Sequence, residues 1–443
     1  MRFNSTIRGA IAAAGVAVAI AAVPGSANAA FDPSNDTRCE NAASIKGVGA
    51  SFQRQAQLAW GATLLSPDPG GPEAQGFGYD TTTGCSAFQV GGLSVSYEPR
   101  GSGDGRKAMG ASTVAGEAGV RNTNYAFAGA DEPPTAGQLA AANAGPSTAT
   151  TDDATLRTIP VAQSAVAVTV KLPAGCTLAQ STTARAITKA RLEGAFAGDV
   201  AYDTWGEILP SIAGSGCAAK PVQRVVRLDS SGTTFAFKQY LAAANPSRGW
   251  SGLSNTAWPN ESTDPVVRGA ANGAGALLDA LSAQTDGGIG YADLASARSR
   301  AYDWAGASDS TVWLYTQRIS DNASRGPARS NTAGTTDTGA NCAAVSYGTL
   351  PSTTDSWSAV TGVATGDDYG ICALTYALAW ERPSLANVGS LQPAITQGQA
   401  RATKDYLDYA INGGQGQLAA RGYSPLPTAV RTQAQAGVNA VDW

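Results

Sequence analysis

Strand-like and helix-like segments alternate along most of this chain, and this alternation restricts it to few folds. The runs with a strand pattern are 45–48, 93–97, 125–128, 161–170, 222–228 and 374–380. Helical stretches are predicted at 53–65, 135–143, 234–244, 274–284 and 397–411. This order predicts an α/β fold with largely parallel sheets, helices on both faces, and ligands at the carboxyl ends of strands.

Two stretches interrupt the alternation. Residues 66–92 are rich in Gly, Pro and Thr, and residues 308–357 are rich in Ser, Thr, Asn and Gly. Both are predicted to be long surface loops. A chain of this length exceeds what one core usually holds, which predicts two domains.

The first 29 residues have the pattern of a secretory signal peptide. Arg2 and Arg8 precede an apolar run at 11–23, and a small-residue site predicts cleavage after Ala29. A membrane anchor is the alternative, but the run is shorter than the ~20 apolar residues that a spanning helix needs. The signal pattern therefore predicts an exported protein, periplasmic or extracellular. No cysteine directly follows the cleavage site, so lipid attachment is not expected.

Six cysteines in an exported chain predict disulfides rather than metal ligands, and six cysteines allow 15 connectivities. Proximity along the chain favours pairing of sequential neighbours. The expected pairs are Cys39 with Cys85, Cys176 with Cys217, and Cys342 with Cys372.

The composition excludes several classes of function. The sequence contains no histidine, which removes imidazole acid/base chemistry, Ser-His-Asp and Cys-His nucleophiles, and His-ligated zinc. Without residues 1–29 the chain has 28 basic and 34 acidic side chains, a net charge of −6. The sequence has no run of basic residues, so nucleic acid is not an expected partner.

Four short turns, each directly after a strand-like run, predict an anion site. They are Gly49-Ala50-Ser51-Phe52, Gly101-Ser102-Gly103, Gly129-Ala130-Asp131 and residues 229–234. Backbone N–H groups at a helix N-terminus lack intrahelical partners, and the helix dipole favours negative charge there. The second turn lacks the spacing of nucleotide-binding loops. Taken singly, each turn is equally compatible with a plain helix cap or tight turn.

Asp131 and Arg227 indicate which anion the site would take. An ionised carboxylate only accepts hydrogen bonds, so Asp131 can pair with the P–OH of hydrogen phosphate, whereas sulfate has no proton to offer. Arg227 can donate two parallel hydrogen bonds to two oxygens of an anion or to Asp131. The structural alternatives are a helix cap for Asp131 and an ion pair with Asp229 for Arg227.

With these turns the chain resembles the periplasmic or cell-surface phosphate-binding proteins that feed ABC phosphate importers. The resemblance covers essentially the whole mature chain. Further motifs that agree in order and spacing are Ile159-Pro160, residues 192–198 followed by Trp205, residues 288–291, Leu374-Thr375-Tyr376 and residues 422–427.

The resemblance implies a two-domain hinged clamshell of type II, in which each lobe is a mostly parallel sheet with flanking helices. Lobe 1 would comprise 30–158 and 372–443, and lobe 2 would comprise 159–371 with a surface insertion at about 303–357. The implied protein is a non-catalytic monomer that holds inorganic phosphate without metal or cofactor and delivers it to an ABC importer. The implied phosphate ligands are Ala50, Ser51, Phe52, Ser102, Asp131, Arg227, Ser231, Gly232 and Thr233.

The chain departs from the family pattern at several positions. Ser51 stands where the family often has Thr, Arg100 and Asp104 add charges beside the second turn, and Glu132 adds one beside the third. A secreted phosphate scavenger or a phosphoester hydrolase without an importer is the alternative function, and an adhesive surface protein is a third.

Overall fold

The computed structural model describes residues 44–65, 94–146, 154–302, 310–329, 339–383 and 395–442. Its strands are β1 (Ile45–Gly49), β2 (Thr63–Leu64), β3 (Val95–Pro99), β4 (Phe127–Ala130), β5 (Leu156–Lys171), β6 (Ala186–Ile187), β7 (Gln223–Val226), β8 (Val267–Arg268), β9 (Gly288–Asp293), β10 (Thr311–Trp313), β11 (Tyr315–Gln317), β12 (Ser324–Arg325), β13 (Cys372–Trp380) and β14 (Tyr423–Ser424). Its α-helices are α1 (Arg54–Ala59), α2 (Ser102–Ala108), α3 (Ala136–Ala144), α4 (Lys189–Ala197), α5 (Trp205–Ile208), α6 (Gly232–Ala244), α7 (Ala274–Ser282), α8 (Leu294–Ser299), α9 (Gln397–Ile411) and α10 (Thr428–Ala440).

One mixed sheet carries most of these strands, in the order β2-β3-β1-β4-β13-β5-β9-β7-β8, with β10 and β14 also paired to β5. The strands at each end of the sheet are parallel to their neighbours. In the middle, β13 and β5 run antiparallel to each other and to the strands beside them. The predicted α/β fold class is confirmed, with parallel pairing within each end and antiparallel pairing where the ends join.

The two central strands, β5 and β13, are buried on both faces. Nearly every side chain of β5 and β13 is buried. Pro160 lies inside β5, and the pairing register of β13 shifts between Thr375 and Tyr376, opposite this proline. A proline cannot donate to the strand ladder and is tolerated in sheets at such bulges.

An aromatic cluster holds α6 against the sheet. The ring of Phe237 stacks on Tyr291 at 4.6 Å between centroids and meets Phe196 edge-on at 4.7 Å. Ring pairs of this kind contribute about 0.5–1.5 kcal/mol each beyond their burial. The hydroxyls of Thr234 and Tyr291 are 2.6 Å apart, which fixes the first turn of α6 beside β9.

Several local predictions need correction. The predicted helix at 53–65 is shorter, because Gly61 adopts a positive φ of 91° after α1 and the chain then enters β2. The predicted surface loop at 308–357 is wrong for part of its length, since β10 joins the main sheet beside β5 and Val312 and Trp313 are fully buried. The loop predicted at 66–92 lies outside the described residues.

Two of the three expected disulfides are confirmed, Cys176–Cys217 and Cys342–Cys372. The third expected pair, Cys39 with Cys85, and the predicted signal peptide lie outside the described residues. In the part of the chain that the structure describes, no helix combines the length and apolarity needed to cross a bilayer.

Candidate functional site

The four turns predicted as one site meet in the structure. Because β3, β1 and β4 are adjacent parallel strands, the turns that follow them lie at one edge of the sheet. The Gly101 N–H donates to the Gly49 carbonyl at 2.8 Å, which joins the second turn to the first. The Gly103 N–H donates to the Ser230 carbonyl at 3.2 Å, which joins it to the turn after β7.

Ser102 is the residue on which three of the turns converge. Its Oγ accepts from the Asp131 N–H at 2.9 Å and from the Gly232 N–H at 3.2 Å. Its own proton points to Asp131 Oδ2 at the long distance of 3.4 Å. The side chain is fully buried and lies between the start of α6 and the carboxylate of Asp131.

Gly232 permits this close approach. A Cβ at this position would lie 2.5 Å from Asp131 Cβ, from the Glu132 nitrogen and from Ser102 Oγ. These distances are shorter than any normal van der Waals contact, so only glycine allows the first turn of α6 to pack against the turn after β4.

Asp131 is a buried carboxylate whose acceptor capacity is only partly used. The Thr375 hydroxyl donates to its Oδ1 at 2.6 Å, while among the described residues its Oδ2 has only the distant Ser102 hydroxyl. Burial raises the pKa of Asp131 to about 7, the Thr375 hydrogen bond opposes that rise, and the nearby charges of Asp293 and Arg227 act in opposite directions. A proton offered to Oδ2 by a ligand would favour the ionised carboxylate.

Arg227 is buried and forms the ion pair that the sequence left as the structural alternative. Its Nε donates to Asp229 Oδ1 at 2.8 Å and its Nη2 to Asp229 Oδ2 at 2.5 Å. Burial lowers the pKa of Arg227, but Asp229, with smaller contributions from Tyr291 and Asp131, raises it, and the pKa lies above its ordinary value, so the guanidinium stays charged. Its Nη1 is also buried and has no hydrogen-bond partner among the described residues.

The first turn of α6 contributes hydroxyls. Ser231 is the N-cap, and its Oγ accepts from the Thr234 N–H at 3.3 Å, which leaves its proton for another acceptor. Thr233 Oγ1 is buried and, within the described ranges, makes no hydrogen bond. Orphaned buried polar atoms are rare and each costs about 1–3 kcal/mol. Thr233 Oγ1 and Arg227 Nη1 are therefore two buried donors that an anion could satisfy.

The turn after β1 agrees only in part with the prediction. Ala50 is wrong as an N–H donor to a ligand, because its N–H donates to the Gly129 carbonyl at 2.9 Å. Ser51 and Phe52 begin a short 3-10 helix that has no side-chain cap, so Ser51 is not the cap that its alternative interpretation required. Both residues are buried, and the Ser51 side chain faces Gly273, whose N–H donates to Asp229.

Sequence reasoning missed two residues that shape the site, Thr375 and Asp293. Thr375 belongs to the motif Leu374-Thr375-Tyr376, which supports the resemblance, but the resemblance implies no role for this residue. Asp293 is buried, burial raises its pKa, and its Oδ2 has no partner in the described part of the chain. In the described ranges of the chain, no group of three or more His, Cys, Asp or Glu side chains could hold a metal ion.

The chain is similar to known proteins in sequence and in fold. A family model described as the PBP superfamily domain, PBP_like_2, matches residues 83–377. No curated protein matches the chain. Among solved structures, the chain is similar to a high-affinity periplasmic phosphate-binding protein, PfluDING, bound with phosphate, with 21% identity and a TM-score of 0.55 over 89% of this chain and 93% of that chain.

Two further structures show the same fold. A phosphate-binding protein from Stenotrophomonas maltophilia shares 17% identity with a TM-score of 0.54, over 89% of this chain and 94% of that one. A human phosphate-binding apolipoprotein shares 20% identity with a TM-score of 0.56, over 88% of this chain and 93% of that one. At such identities the likeness establishes the fold, a two-domain clamshell as the resemblance implied.

Proposed function

Since the chain belongs to the PBP superfamily, we propose that it binds inorganic phosphate at the meeting point of the four turns. The observation that carries the proposal is a pair of buried unpartnered donors, Arg227 Nη1 and Thr233 Oγ1, in the same site as the buried carboxylate of Asp131. The similar structures are phosphate-binding proteins, one of them bound with phosphate, and this supports the same ligand.

Each group then has a definite task. Phosphate oxygens accept hydrogen bonds from Arg227 Nη1 and from the Thr233 and Ser231 hydroxyls. The charge of Arg227 and the N-terminal dipole of α6 offset the negative charge of the anion. Ser51, Phe52 and Ser102 complete the shell from the other side. Asp131 Oδ2 accepts the proton of hydrogen phosphate. Because sulfate offers no proton, its oxygen would face this carboxylate unpaired, and that repulsion gives discrimination.

The proposal includes the predicted division into lobes at about residues 158 and 371. On that division, the hydrogen bonds from Gly232 to Ser102 and from Gly103 to Ser230 join the two lobes. Phosphate would stabilise the closed arrangement because only there do both sets of groups reach it. Ligand-induced closure therefore accompanies binding.

Export after cleavage at Ala29 and delivery of phosphate to an ABC importer by a monomeric, non-catalytic protein complete the proposal. The two disulfides support an oxidising compartment.

The direct test is isothermal titration of the purified mature protein with phosphate, arsenate and sulfate. We expect saturable binding of phosphate with one site per chain and no measurable heat from sulfate at the same concentrations. Thermal unfolding gives an independent readout, since a ligand of the native state alone raises the melting temperature. Absence of both signals with phosphate would contradict the proposal.

A further inference from the structure

A chain of buried side-chain hydrogen bonds ends at Asp131. Tyr406 OH donates to Gln57 Oε1 at 2.7 Å, and Gln57 Nε2 donates to Gln53 Oε1 at 3.0 Å. Gln53 Nε2 then donates to Thr375 Oγ1 at 2.7 Å, and Thr375 Oγ1 donates to Asp131 Oδ1 at 2.6 Å. All five residues are buried.

The direction of this chain is fixed by an acceptor beside it. Gln53 Nε2 also donates to the Tyr376 carbonyl at 2.8 Å, and a carbonyl oxygen cannot donate, so the amide nitrogen must face this way. Thr375 Oγ1 therefore receives a hydrogen bond from Gln53. Its single proton is left for Asp131, whose Oδ1 must then be an acceptor.

The backbone places Thr375 for this task. Tyr376 pairs with Ala130 in the antiparallel register of β13 and β4, Thr375 precedes Tyr376, and Asp131 follows Ala130. In an antiparallel ladder these two neighbours lie opposite each other. The strand β13 thus brings the hydroxyl to the turn that follows β4.

The same arrangement acts against the effect of burial. Desolvation of Asp131 favours its neutral form, and the hydrogen bond from Thr375 is the largest influence that opposes this. Of the other groups that face Asp131, Asp293 favours the neutral form and Arg227 the ionised one. Burial raises the pKa of Tyr97, Tyr376 and Tyr423, so these phenols remain neutral near pH 7.

We infer that Thr375 is a positioning residue that keeps Asp131 an ionised acceptor, and that it thereby sets the preference for a protonated oxyanion over a fully ionised one. The inference rests on the proposed function and deepens it. Without the Thr375 hydroxyl, Asp131 would take up a proton and become a donor. It could then bond to a sulfate oxygen and could no longer receive the proton of hydrogen phosphate.

The test compares Thr375→Val, Thr375→Ser and wild type by titration with phosphate and with sulfate. Valine keeps the shape of threonine and removes the hydroxyl, whereas serine keeps the hydroxyl. We expect the ratio of phosphate to sulfate affinity to fall about tenfold or more in Thr375→Val. We expect it to stay within about twofold of wild type in Thr375→Ser.

Thr169→Val is the matched control. Thr169 is also a buried strand threonine, but its hydroxyl makes no hydrogen bond to any described residue. It lies in the part of β5 that pairs with β9 and β10, beyond the pairing with β13. Loss of that hydroxyl leaves no partner unpaired, so the control should keep wild-type selectivity. Thermal unfolding of every variant reports whether it is folded.

A pH series separates positioning from mere packing. If Thr375→Val raises the pKa of Asp131, the carboxyl ionises again as pH rises, and the selectivity of the variant relative to wild type should recover between about pH 7 and pH 9. The titration of phosphate itself cancels in this comparison. A loss of selectivity that does not change with pH would indicate a packing defect and overturn the inference.

The remaining outcomes also decide the matter. Wild-type protein that does not bind phosphate would refute the proposed function. Wild-type binding together with unchanged selectivity in Thr375→Val would refute only the role of Thr375. If Thr375→Val does not fold, Thr375→Ala carries the same expectation. If neither folds while Thr375→Ser does, Thr375 has a structural role and the inference fails.

Discussion

Arg227 shows how one side chain can be both part of the structure and available to a ligand. Two of its nitrogens bond Asp229, and the third, Nη1, is buried without a protein partner in the described residues. The planar guanidinium makes this possible, because its five donors point in different directions within one plane. The structural and the functional interpretations of this arginine are therefore compatible.

Arg227→Lys should lose this combination. An ammonium group is a compact charge that cannot hold Asp229 through two parallel bonds and reach an anion at the same time. We expect phosphate affinity to fall about 10- to 100-fold by isothermal titration. The control is Arg325→Lys, since Arg325 pairs with the exposed Asp367. Near-wild-type affinity in Arg227→Lys would argue against a direct contact with phosphate.

Asp131→Asn tests the acceptor. The amide can donate to an ionised oxygen, so we expect weaker phosphate binding and measurable sulfate binding, with the affinity ratio reduced about 10- to 100-fold. Titration with both anions measures this ratio. Asp367→Asn, at a carboxylate whose side chain is 94% exposed, should leave it unchanged. Equal selectivity in Asp131→Asn and wild type would remove the proposed role of Asp131.

At the scale of elements, the site depends on the close packing of α6 against the turn after β4. Gly232→Ala would place a methyl group where three atoms lie at 2.5 Å. We expect the free energy of unfolding to fall by about 1–3 kcal/mol, together with weaker phosphate binding, because the first turn of α6 must move. Denaturant unfolding and titration measure the two effects.

Gly252→Ala is the matched control for this change, since no atom of the described ranges lies within 4 Å of its added Cβ. Its stability and affinity should stay close to wild type. If Gly232→Ala behaved like this control, the contact between α6 and the turn after β4 would be looser than the structure shows.

The main elements could be predicted from sequence because their signals are local. Apolar runs of strand length and the residues that cap α3, α6 and α9 are read directly from neighbouring positions. The role of Thr375 could not be predicted in this way. It reaches Asp131 across 244 positions through the antiparallel pairing of β13 with β4, and local sequence does not specify that pairing.

Two of the wrong predictions, the Ala50 N–H as a ligand donor and the surface loop at 308–357, have the same origin. The Ala50 N–H is taken by the Gly129 carbonyl of a neighbouring turn, and β10 is buried only because β5 is long enough to pair with it. Each depends on which strands become neighbours. A short strand such as Thr311–Trp313, within a stretch rich in Ser and Thr, also has too few residues to show a clear pattern.

At the scale of the whole molecule, one disulfide closes a long loop that holds none of the hydroxyls or carboxylates argued to contact phosphate. Cys176–Cys217 spans 41 residues, and the loop-closure estimate for this length is about 4 kcal/mol. The double variant Cys176→Ser, Cys217→Ser should therefore show a lower melting temperature. Its phosphate affinity at a temperature where it is folded should stay within about twofold of wild type. A large loss of affinity in the folded variant would mean that this bridge positions the site.

The central place of β13 has a consequence for how the chain folds. Its partners β4 and β5 are synthesised long before it, and until β13 is added both have an open edge with unpaired backbone groups. A nascent chain that ends before residue 372 cannot complete its sheet. Contacts of such long sequence separation make folding slow. Because the edges of β4 and β5 stay open until β13 is made, the polypeptide stays accessible to chaperones until synthesis is nearly finished.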